Sequence, residues 1–270
     1  MGSIRTIVKF AITTLKGGVR DRLLQGLILV GLFLIVSTSV FSSFSMRQTL
    51  EVAVNYSLSV IHILAIVLTL FFGLNLISKE LESKENYFVL TQPVPRSSYV
   101  LGKFAGFLLN ITAVILILGL FSAVPLLLIA AGEKGSSLAW LKIASALAGI
   151  LFSCSILGAV ILLFTSVATS GILPFLMSCA VYAIGENTQP VKRYIASGMA
   201  GEKLPQSFKI LMDVVYYVFP NFSLFDYKIY AIYNLSLPGT LVLVSAAYGA
   251  AYTALCLFFA VILFERRDMT

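Results

Sequence analysis

Charge is what this chain lacks most. Only 11% of its 270 residues are Asp, Glu, Lys or Arg, and 59% are hydrophobic; a soluble domain carries roughly 25% and 45–50%. The shortfall excludes an ordinary solvated globule, because the apolar residues fall in long blocks. Gly26–Ser45, Ser57–Ile77, Phe104–Ala131, Ile143–Val167 and Thr240–Phe264 are almost free of charge. About 20 apolar residues in a helix cross the ~30 Å hydrocarbon layer, so each block is a candidate membrane span.

Histidine is nearly absent too. His62 is the single one, and the three cysteines, Cys154, Cys179 and Cys256, share no short spacing. A metal site needs several ligands, which this set does not supply; the cysteines read as small core-filling side chains. No Gly-x-x-x-x-Gly-Lys-Ser/Thr loop, Gly-x-Ser-x-Gly elbow or His-Glu-x-x-His pair occurs. The chain is therefore not expected to hold ATP in a P-loop, or to be an enzyme of the types those motifs mark. No catalytic residue, metal or cofactor is expected in it. His62 is an ionisable group inside the second block, hence a functional candidate; a neutral imidazole bonded to a neighbouring helix is the structural alternative. The net charge of +7 does not imply nucleic acid, because the charges sit at span ends rather than on one face. Lipid headgroups and orientation account for them.

What is present is an all-α integral membrane protein, one transmembrane domain over 1–270. Six spans are expected, at about 25–45, 57–77, 99–131, 141–167, 171–186 and 240–264. The fifth is short, carries Pro174 and ends in Gly185-Glu186-Asn187. An even count places both termini on one side. With the termini inside, the inner segments hold eleven Lys/Arg and the outer ones eight, five of those in the long 187–239 stretch. Long loops obey the positive-inside rule weakly, so both termini and residues 78–98 are expected in the cytoplasm, in a multi-pass protein of the cell (inner) membrane. The basic N-terminus, with Arg5, Lys9, Lys16, Arg20 and Arg22, reads as leading into an uncleaved first span rather than as a secretory signal.

Two further segments have a pattern. In 3–17, within the N-terminal stretch 1–24, Ile4, Ile7, Val8, Ala11, Ile12 and Leu15 recur at helical spacing while Arg5, Lys9, Thr13 and Lys16 fall on other faces. That is an elbow helix lying on the membrane, with Gly17-Gly18 expected to end it. In 187–239, Pro190, Pro205, Pro220 and Pro238 leave pieces such as Ser207–Phe219 long enough for short outer helices. Tyr194, Tyr216, Tyr217, Tyr227, Tyr230 and Tyr233 suit an interfacial belt. A reading of 207–224 as part of another span stays open. Asn75, Asn110 and the hydroxyls of the spans read as glue between helices, and Gly102 with Gly106 permits a close helix approach.

The specific signal is the polar insert 78–98. Lys79, Glu80, Glu82, Lys84 and Glu85 make a solvated helical turn or two, with Leu81 among them and Tyr87, Phe88, Val89 and Leu90 following. Pro93 and Pro95 forbid helix continuation and turn the chain back. Arg96 and Lys103 flank the return, where cations match the inner leaflet. A plain hairpin would not need an apolar run beside the charges; such a mixture suits docking into a partner's groove.

Lys79-Glu-Leu-Glu82, Tyr87–Leu90, Gln92-Pro-Val-Pro-Arg96 and Leu101-Gly-Lys-Phe-Ala-Gly106 resemble the type 2 ABC transporter permeases, with Lys84-Glu85 in place of that family's Gly-Thr pair. The stretch Gly18–Leu24 and the six-span layout are similar too. The resemblance implies a transmembrane subunit that pairs with itself and with two ABC ATPase subunits, which carry the ATP and Mg. The insert would be the coupling helix, in contact through Lys79, Glu80, Leu81, Glu82, Lys84, Glu85 and Tyr87. Pro93, Pro95, Arg96, Gly102 and Lys103 would form its turn and return. Export across the membrane is the activity implied. A membrane scaffold or assembly protein whose insert binds a cytoplasmic partner without transport is the alternative.

Overall fold

Ten α-helices and one 3-10 turn follow one another along the described residues, without a strand. The computed structural model describes 2–45, 48–82, 95–132, 138–168, 171–197 and 206–266, with side chains left aside at 2–4, 74–82, 206, 208 and 209. Helix α1 is Gly2–Arg20, α2 Arg22–Val36, α3 Thr38–Ser43, α4 Thr49–Glu82 and α5 Arg96–Gly132. Then come α6 Trp140–Val167, α7 Ile172–Ala196, α8 Gln206–Val218, the 3-10 turn Phe222–Phe225, α9 Lys228–Ile232 and α10 Gly239–Glu265.

The charge-free blocks became helices of bilayer length. Among the described residues, five stretches are long and apolar enough to cross a membrane: Arg22–Ser43, Thr49–Gly73, Arg96–Gly132, Trp140–Val167 and Gly239–Glu265. At 1.5 Å per residue, 25 helical residues cover roughly 37 Å, more than the hydrocarbon layer needs. Helices α4, α5 and α6 form the centre, with α10 against α6, α2 against α4 and α5, and α7 against α6. Ile61, Phe107, Ile111, Cys154, Ile156 and Leu157 are buried there. Large apolar side chains point outward instead of in: Phe33 is 74% exposed, Leu120 74% and Leu243 71%. Outer surfaces this apolar suit lipid rather than water.

Two expected ends are passed by the helices. Gly17-Gly18 does not end α1, which runs to Arg20. Each glycine costs about 1 kcal/mol in a helix, but here Gly18 lies against the Asn110 side chain of α5. The missing side chain lets α1 settle onto its neighbour, and packing outweighs propensity. Likewise α7 does not stop at 186 but continues to Ala196, with Pro190 inside it. Proline removes one helical N–H and leaves the carbonyl four residues back, that of Glu186, without its donor. The Ser223 hydroxyl donates to that carbonyl at 2.8 Å. A tertiary bond thus replaces the helical one, and the segment 187–239 begins as helix. The expected piece Ser207–Phe219 corresponds to α8, Gln206–Val218.

Candidate functional site

Two places in the bundle gather polar and charged groups, one at each end. The first is the end where α4 leaves the bundle and α5 returns to it. Lys79, Glu80, Leu81 and Glu82 lie on the helical backbone of α4, their side chains outside the described ones. Lys84, Glu85, Tyr87 and Pro93 lie outside the described residues. The return is described in full. Pro95 stands just before α5, its carbonyl accepting the Ser98 N–H at 3.0 Å. Arg96 donates from Nη1 to the carbonyls of Phe264 at 3.3 Å and Glu265 at 3.0 Å, the last turn of α10. Helix C-termini present unpaired carbonyls and a partial negative charge, so a guanidinium is a matched cap. One arginine therefore ties the start of α5 to the end of the last helix.

The following turns of α5 carry α1. Tyr99 packs edge-on to Phe10 at 5.3 Å and stacks with Phe264 at 5.8 Å. A Cβ at Gly102 would lie 2.9 Å from the Ile7 carbonyl oxygen, and one at Gly106 2.7 Å from that of Ala11. Asn110, a further turn along, donates to the Thr14 carbonyl at 3.3 Å. Residues 102, 106 and 110 make one seam into which the α1 backbone fits. Lys103 sits on the flank, 8% exposed, its Nζ 5.6 Å from the Tyr99 ring. Of the expected return residues, the structure thus brings Pro95, Arg96, Gly102 and Lys103 together with α1 and α10.

The second place is at the opposite end, where the chain from Phe219 to Asn234 folds back among the helices. Glycines make the room. A Cβ at Gly185 of α7 would overlap the Pro220 carbonyl oxygen, and one at Gly149 of α6 would overlap that of Phe225. The returning chain is then held by polar contacts to several helices. The Asn221 N–H donates to the Tyr248 hydroxyl at 3.1 Å and its amide to Gln189 Oε1 at 2.9 Å. Tyr227 is bonded through its hydroxyl to Ser245. Lys142 donates to the Asn234 carbonyl at 2.7 Å.

Lys228 reaches furthest in. Its Nζ is 3.2 Å from His62 Nδ1 and 3.8 Å from Asp226 Oδ1. An ammonium only donates, so His62 accepts through Nδ1 and keeps its proton on Nε2. Glu186 and Ser153 line the same small cavity, which has room for about one water. His62 therefore has ionic neighbours, supplied by segments more than a hundred residues away. None of them lies in its own span. The signal available in the sequence was the pairing of Glu186 and Asp226-Tyr-Lys228 with the glycines and prolines around them. Further out, Lys192 of α7 pairs with Asp213 of α8 at 2.9 Å and lies 4.0 Å from the Tyr216 ring.

Among the described residues, no group of three or more His, Cys, Asp and Glu is placed to hold a metal ion. The arrangement offers a clamp at one end and a polar plug at the other. A family model described as ABC-2 family transporter protein matches residues 13–269. No curated protein matches the chain.

Proposed function

This chain belongs to the ABC-2 family of transporter proteins, and from that membership we propose that it is the permease subunit of a two-component ABC exporter. It pairs with a second copy and with two ATPase subunits, which carry the ATP and Mg. Both termini face the cytoplasm of the inner membrane. Six spans cross it: α2 with α3, α4, α5, α6, α7 and α10. Helix α1 is the elbow on the inner surface, and 78–98 is the coupling segment seated in an ATPase groove. Lys79, Glu80, Leu81, Glu82, Lys84, Glu85 and Tyr87 make that contact.

The observation that carries this reading is the family match over nearly the whole chain. The clamp at Arg96 supports the mechanical part. A push on 78–98 moves the start of α5, and α5 is tied to α1 through its glycine seam and to α10 through Arg96. A partner shifts a conformational equilibrium only by its differential affinity for the two states, so it needs a stiff contact of this kind. The test is co-purification of the tagged chain with a P-loop ATPase, followed by hydrolysis measurements in lipid. Glu80→Ala with Glu82→Ala is expected to change the permease-dependent ATPase rate roughly fivefold or more. An unchanged rate in an intact complex refutes the coupling role.

A further inference from the structure

The folded-back chain does not fill the end of the bundle that it enters. Between it, α7 and the start of α10 a cleft of about 540 Å³ opens to the outside, within the ordinary size range of small-molecule sites. The walls are of two kinds. Leu224, Leu235 and Leu241 line it with hydrocarbon, and Tyr227 and Tyr230 add ring faces. At its floor lie Glu186 and Asp226, which also border the small inner cavity with Lys228.

The two carboxylates are not equivalent. Asp226 has Lys228 at 3.8 Å and accepts the Lys228 N–H at 3.3 Å. Glu186 is half-buried, and its carboxylate has no hydrogen-bond or ion-pair partner among the described residues. Lys228 lies against Asp226 and His62 and attracts Glu186 only at longer range, so the two carboxylates share one ammonium. Arg193, which also lines the cleft, is exposed; the helical rise puts its backbone roughly 10 Å from that of Glu186. Removing a carboxylate from water without a counter-charge is costly, and a cation brought to it recovers most in such a place.

We propose that this cleft binds the ammonium group of an amphipathic amine, with the nitrogen at Glu186 and the hydrocarbon against Leu224, Leu235 and Leu241. Its standing as a cargo site rests on the transport reading above, whereas the binding itself does not. The ammonium belongs either to a free amine or to an aminolipid headgroup.

The test uses the full chain in phosphatidylglycerol nanodiscs without any ATPase, titrated with octylammonium, octanol and octanoate by calorimetry. Octylammonium is expected to bind saturably and about tenfold or more tighter than octanol, with Glu186→Gln removing that preference. Glu186→Asp keeps it, and Arg193→Gln, which takes a cation out of the same cleft, strengthens octylammonium by up to about threefold. Leu235→Lys, at an exposed wall position, sets a cation in the cleft and weakens octylammonium without touching the floor. Equal binding of the amine and the alcohol, or an amine preference that survives both Glu186→Gln and Leu235→Lys, overturns the site. Adding phosphatidylethanolamine to the discs weakens octylammonium if the headgroup is the occupant, and leaves it unchanged if the occupant is a free amine. Loss of coupling with binding intact would fault the transport reading alone.

Discussion

Gly149→Ala is a one-methyl test of how the folded-back chain is seated. The new Cβ would overlap the Phe225 carbonyl oxygen and come 2.9 Å from Cδ2 of Tyr227. Neither obstacle is the free end of a flexible side chain. One is backbone, and the other is a ring held by its hydroxyl bond to Ser245. Two terms oppose. Alanine gains about 1 kcal/mol over glycine in a helix, whereas overpacking a tight contact costs about 1–3 kcal/mol, the upper end applying where backbone must move. The net loss is about 2 kcal/mol, which lowers the melting temperature by roughly 4–8 °C in a chain of this size. It should appear locally first, because α6 can stay in place if residues 219–234 lift. Opening of that segment is then favoured roughly 30-fold. Hydrogen exchange by mass spectrometry on the protein in detergent reads this directly. Peptides over 219–234 should lose protection while those over 99–115 keep theirs. Gly26→Ala is the control: a Cβ there meets nothing within 4 Å, so that variant keeps only the propensity gain. If Gly149→Ala is as stable and as protected as Gly26→Ala, the segment is not packed on α6 and the reasoning fails.

Arg96→Ala removes two charge-assisted bonds to the end of α10 and should cost about 1–3 kcal/mol, discounted for partial exposure; faster exchange confined to 258–266 checks it, and Arg96→Lys should recover part of the loss. Lys228→Met leaves Asp226 and His62 facing each other without their cation. It should lower the melting temperature more than Lys192→Met, whose pair with Asp213 is exposed and screened by water; equal effects would make the inner cluster a surface-like one. Gly106→Leu should push α1 off α5, which disulfide crosslinking between Thr14→Cys and Asn110→Cys detects as lost yield. Gly26→Leu should leave that yield unchanged.

The spans were readable because a bilayer demands long charge-free helices and little else, and Gly26–Ser45 or Ile143–Val167 meets that demand in its own residues. The ends were less readable, because there a distant group substitutes for a local one. Gly17-Gly18 is a stop by propensity and a packing surface once Asn110 stands opposite. Pro190 is a break by its missing N–H and tolerable once Ser223 donates to Glu186. The two sites divide along the same line. The 78–98 insert showed itself by contrast, charges and prolines set between apolar blocks. The cluster at the other end showed nothing of the kind, since His62, Glu186 and Lys228 come from three separate segments and meet only when 219–234 turns inward. An isolated histidine in an apolar span is therefore a question about the rest of the chain. In this chain the partner is Lys228, at the start of α9, and its approach needs helices with glycine at the point of arrival. Gly149 and Gly185 meet that condition, and their place beside Phe225 and Pro220 is what brings Lys228 within reach of His62.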